Sequence, residues 1–66
     1  MTMPYERTMT VIRARKFLQL LASSEATPVP QVVRVEARRL LWHYPLDVDL
    51  DISAAALPGV WAAPEN

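Results

Sequence analysis

The sequence predicts an all-α fold: an antiparallel two-helix hairpin with a short C-terminal third helix, dimerising into a helical bundle. Three observations predict it. Two amphipathic segments, Glu6 to Ser23 and Pro30 to Tyr44, repeat apolar residues at helical spacing. Six prolines (Pro4, Pro28, Pro30, Pro45, Pro58 and Pro64) fall at the ends of the expected elements. The single glycine, Gly59, leaves tight β-hairpins without their usual turn residue.

The first helix follows an extended lead, Met1 to Tyr5, with Pro4 able to start it. Val11, Ala14, Phe17, Leu18, Leu21 and Ala22 fall on one stripe, the spacing of a core-facing helix. Arg13, Lys16 and Gln19 lie opposite, while Ile12 and Leu20 project from the flanks of that polar face and do not fit. Ser23, Ser24, Thr27 and Pro28 form the connector. The second helix begins at Pro30, whose fixed φ and missing N–H suit a first helical position, with Thr27 as the nearest capping side chain. Val33, Ala37, Leu40, Leu41 and Tyr44 make its inner stripe, and Pro45 ends it by pushing the preceding residue out of helical geometry. The expected core is therefore Leu18, Leu21, Val33, Ala37 and Leu40.

Leu46 to Ile52 supports two readings. Leu46, Val48, Leu50 and Ile52 alternate with Asp47, Asp49 and Asp51, a strand pattern. Aspartate is poor in strands and the chain offers no second strand to pair with it. The preferred reading is a helix from about Val48 to Leu57, with Asp47 and Asp49 at its positive end, Ala54 to Ala56 supporting it and Pro58-Gly59 stopping it. Val60 and Trp61 fold back as a lid. Residues 1–61 form one domain and 62–66 a flexible tail.

At 66 residues the chain has room for one small core. Cysteine is absent, which excludes a disulfide framework, thiolate metal sites and a cysteine nucleophile. Small domains then depend on packing or on oligomerisation. The composition, 52% apolar and 21% charged, is that of a globular chain. The longest apolar run near the start, Phe17 to Ala22, is broken by Gln19 and preceded by Arg13, Arg15 and Lys16. It is too short for a secretory or membrane-spanning segment, so a cytoplasmic location without membrane association is expected. The apolar stripe opposite arginines would also suit a membrane surface, but any core helix shows the same stripe.

The motifs with chemical potential each meet a plainer reading. Asp47-x-Asp49-x-Asp51 resembles the start of a calcium loop, yet Ile52 and Pro58 stand where that loop needs glycine and glutamate. His43 can meet Asp47 across the Pro45 turn, but Ser23, Ser24 and Ser53 carry no nucleophile signature. A helix-end histidine satisfying local carbonyls is the simpler account. No catalytic residue, cofactor or metal site is expected, and the chain reads as non-enzymatic.

Charge is segregated. Residues 1–44 hold seven basic and three acidic groups, a net of +4, and residues 45–66 hold four acids and no base, a net of −4. Arg34, Arg38 and Arg39 beside Trp42 form a basic patch with an aromatic, a possible nucleic-acid contact. The alternative is self-neutralisation within one chain or between two copies, which the zero net charge favours. Val35 and Trp42 form a second apolar line beside Arg38 and Arg39 that a lone hairpin does not explain.

Met1-Thr2-Met3-Pro4, Glu6-Arg7-Thr8, Phe17-Leu18, Val29-Pro30, Leu40-Leu41 and His43-Tyr44-Pro45 together resemble a family of short proteobacterial proteins of unassigned function. The resemblance runs to about Pro58, and its most specific marks are the opening octet and the His-Tyr-Pro. Family members often carry Arg-Ala after Glu-Arg-Thr where this chain has Met9-Thr10, so no role for a basic group there is carried over. The resemblance implies a compact bacterial cytosolic protein and nothing catalytic. In an antiparallel hairpin Tyr5, Glu6, Arg7, His43 and Tyr44 would meet as a structural clamp.

These readings converge on a non-catalytic protein acting through protein–protein interaction or regulation, as a homodimer with an unknown protein partner. Its expected surface is Val35, Arg38, Arg39 and Trp42. The alternative is a nucleic-acid-binding accessory using Arg34, Arg38 and Arg39.

Overall fold

A computed structural model describes residues 2–23 and 28–64 and contains three helices: α1 (Pro4–Ala22), α2 (Gln31–Trp42) and α3 (Asp47–Ala56). The described residues are 69% helical and contain no strand. In the segment Leu46 to Ile52, ambiguous between helix and strand, Asp47 to Ile52 are thus helical and Leu46 is the extended cap. Thr27 and Ser24, expected in the connector, lie outside the described residues.

Two helix starts use the same device. The backbone N–H of Met3 donates to Glu6 Oε1 at 3.0 Å, and Arg7 N–H donates to the Met3 carbonyl at 3.0 Å, with Pro4 in the first turn. At α3 the N–H of Leu46 donates to Asp49 Oδ2 at 2.8 Å, while Asp49 and Leu50 N–H donate to the Leu46 carbonyl. Each is half of a capping box: the acid three residues on reaches back, but methionine and leucine have no side-chain acceptor to return the bond. Both acids also sit where the helix dipole favours negative charge. Helix α2 starts one residue later than expected. Pro30 is its cap, with φ −53° and ψ 144°, and its carbonyl accepts from the N–H groups of Val33 and Arg34.

The chain divides into two compact units: residues 1–13 with 45–66, and residues 14–44. In the first, the buried residues are Thr8 and Ile12 of α1 and Leu50 of α3. Ile12, 6% exposed, is a correction to the helical wheel, which set it beside the polar face. The wheel imposed one stripe on a helix that contributes residues to two units. At about 100° per residue, Ile12 stands roughly a third of a turn from Leu18, so one average face cannot describe both halves.

Thr8 ties down the C-terminal segment. Its hydroxyl donates to the Ala62 carbonyl at 2.8 Å and accepts from the Ala62 N–H at 3.0 Å. Arg7 Nη1 donates to the Val60 carbonyl at 3.3 Å, and Trp61 N–H donates to the Leu57 carbonyl. Val60 and Trp61 therefore fold back, as expected, but the fixed chain extends into Ala62, where the sequence suggested a loose tail. Leu57, at φ −135° and ψ 68°, makes the stop of α3. Gly59 does not adopt a positive φ, so the turn does not draw on glycine's left-handed freedom.

In the second unit α1 and α2 pack together, and Ala37 is its one buried residue among those described. Leu18 and Leu21 are half-buried, whereas Val33, Leu40 and Phe17 are exposed. The expected core of five thus reduces to one fully buried member. Two helices share a single contact line, and a small residue such as Ala37 fits where they approach, while the flanking Val33 and Leu40 are exposed.

Two stability measurements follow. Ile12→Ala should cost about 2–5 kcal/mol in chemical denaturation at high dilution, whereas Leu40→Ala, 48% exposed, should cost only ~1 kcal/mol. Equal costs would place Leu40 in a core the structure does not show. Thr8→Val keeps the shape but leaves both backbone groups of Ala62 without their partner, and should cost about 1–3 kcal/mol. Faster amide exchange at Ala62 is the local readout, and unchanged protection there would remove the clamp.

Candidate interaction surface

Helix α2 exposes apolar residues along two separate lines. The outer line holds Val35, 44% exposed, and Trp42, 85% exposed, one at each end of two helical turns. Arg38 and Arg39 are exposed beside them. Arg39 Nη1 lies 3.5 Å from Glu36 Oε2, with both side chains more than half exposed. A pair so wet contributes little and leaves Arg39 free to swing to another partner. All four residues expected to form the surface are therefore accessible, with the large aromatic the most exposed apolar side chain among those described.

Arg34 behaves differently from its expected role as a phosphate contact. It is half-buried, its Nη2 donates to the Val29 carbonyl at 3.0 Å, and its Nε is buried without a hydrogen-bond partner. The Nη2 bond ties Arg34 to the chain leading into α2, so the basic patch that faces solvent consists of Arg38 and Arg39.

The second line opens a groove of about 320 Å³. Leu18 and Leu21 of α1 line it together with Val32, Val33, Ala37 and Leu40 of α2, and Glu36 is the one charged residue among the lining. Val32, 75% exposed, is a contributor that the helical pattern did not single out. Its signal was present: Val32 precedes Val33 on the same apolar start of α2, but a narrow inner stripe admits only one of them.

The remaining candidates lie on different parts of the chain. His43 is exposed, Tyr44 is half-buried and Asp47 is exposed in the first turn of α3. Asp49 is committed to the Leu46 N–H, and Glu6 to the Met3 N–H. Tyr5, Glu6 and Arg7 belong to the first unit, His43 and Tyr44 to the second. Among the described residues no three His, Cys, Asp or Glu side chains group as metal ligands would, and no helix is long and apolar enough to cross a membrane. In comparisons with protein-family models, with curated proteins and with solved structures, no match to this chain was found.

The two tryptophans offer a direct check on the outer line. At high dilution acrylamide should quench Trp42, observed in a Trp61→Phe variant, several-fold more steeply than the half-buried Trp61 observed in Trp42→Phe. Equal quenching would show that Trp42 is covered within one chain.

Proposed function

We propose that this chain is a small non-catalytic cytoplasmic protein that acts by protein–protein contact or regulation, with a homodimer as its working form. The resemblance to short proteobacterial proteins is consistent with that reading. The carrying observation is Trp42: a large aromatic, 85% exposed, beside Val35 and two unburied arginines. Aromatic and arginine side chains are enriched at protein contacts, and a tryptophan left in water forgoes more apolar burial than other side chains. The outer line of α2 is the contact surface for a partner, and self-association supplies cover that the small fold lacks.

A second reading, nucleic-acid binding, keeps Arg38 and Arg39 as exposed cations near an aromatic. The engagement of Arg34 with Val29 weakens it, because only two of the three expected phosphate contacts are exposed.

Sedimentation velocity at micromolar concentration should give twice the chain mass, and a monomer would remove the homodimer. A photo-crosslinking residue in place of Trp42, irradiated in cell extract, should give one discrete protein adduct that disappears when Arg38→Glu and Arg39→Glu are added. The absence of any discrete adduct would overturn the outer line as a contact surface. Binding of mixed-sequence RNA or DNA that falls steeply with salt and is lost in the same double variant would replace this reading with the second.

A further inference from the structure

Helix α3 carries an outward face that its own unit leaves open. Leu50 is buried, while Val48, Ile52 and Ala55 are exposed, Val48 by 55% and Ile52 by 65%. These three stand at i, i+4 and i+7, a single straight stripe. At about 100° per residue Asp51 falls on one side of it and Asp49 on the other, so an apolar ridge runs between carboxylates. The second unit has the converse shape: a groove of about 320 Å³ lined almost wholly by aliphatic side chains.

The charges of the units are also converse. The second unit, residues 14–44, contains five basic and two acidic residues, a net of +3. The first unit contains two basic and five acidic residues, a net of −3. Pairing two copies groove to groove would bring +3 against +3. Pairing ridge to groove brings −3 against +3, and two-fold symmetry makes that contact twice.

We propose that two copies of this chain pair reciprocally, each laying Val48 and Ile52 of α3 into the α1–α2 groove of the other. An amphipathic helix in an apolar groove is a general mode of protein recognition, with residues at i and i+4 as the inserted side chains. Arg39, one helical turn from Glu36 and held only by that exposed pair, is the cation on α2 placed to meet the carboxylates flanking the ridge. Glu36 is the one acid lining the groove, and its neighbour Arg39 offsets it. The inference rests on the homodimer part of the proposed function and assigns its two faces; it leaves Val35, Arg38 and Trp42 of the outer line for a different partner.

The test uses the full chain with one variant on each face: Leu40→Asp in the groove and Ile52→Asp on the ridge. Both positions are substantially exposed, so each variant should keep the helical far-UV circular dichroism of the parent. In sedimentation each variant alone should dissociate at least tenfold more readily, since its homodimer loses both copies of the contact. An equimolar mixture should recover a dimer, because the intact ridge of one variant meets the intact groove of the other. If both variants dimerise like the parent, the faces are wrong although the homodimer stands. If only the groove variant dissociates and mixing rescues nothing, the copies pair groove to groove and the inference is overturned. A monomeric parent removes the homodimer and this inference together, leaving the crosslink at Trp42 to judge the contact surface separately.

Discussion

The shortage of burial governs this molecule. Among the described residues, only Ile12, Ala37 and Leu50 are buried apolar side chains, and no cysteine is present to compensate. A chain of this length cannot enclose the apolar half of its composition, because surface falls too slowly with size. Among the described residues the helices therefore keep apolar side chains such as Val32, Leu40, Val48 and Ile52 exposed. Polar contacts matter more than usual under that constraint. The paired hydrogen bonds between Thr8 and the backbone of Ala62 satisfy two main-chain groups with one buried hydroxyl, and they fix a segment that little apolar contact could hold.

Local order comes from helix ends as much as from helix faces. Glu6 and Asp49 each reach back three residues to an N–H of an apolar cap residue, and each carboxylate sits in the favourable field of its helix start. Helix α2 has a proline at the same place, with no N–H to satisfy and no side-chain cap. Its entry is held instead by Arg34, the fourth residue of the helix, which donates to the Val29 carbonyl. That bond explains why one of three clustered arginines serves the fold while Arg38 and Arg39 are exposed.

In the proposed function the features that carry the contact are accordingly surfaces. Two units of opposite net charge, an apolar groove in one and an apolar ridge between carboxylates in the other, make a shape that a second copy can complement without any specialised site. The outer line of α2 adds a different surface, aromatic and cationic. Among the described residues no three His, Cys, Asp or Glu side chains group as metal ligands would, and Glu6 and Asp49 are occupied at helix starts.

By itself the sequence determined the helical class, the three elements and their ends to within a residue or two, because proline placement and apolar periodicity are local properties of the chain. It also determined that Val35 and Trp42 would lack a home, since they stand away from any inner stripe. Only the tertiary structure decided which apolar residues are buried. Ile12 became core and Leu40 did not because burial depends on what packs opposite, and α1 serves two units with different residues. The structure likewise decided that Arg34 is part of the fold and that Ala62 is held. Both outcomes rest on contacts to backbone carbonyls and amides, groups that every residue carries and that no sequence pattern distinguishes.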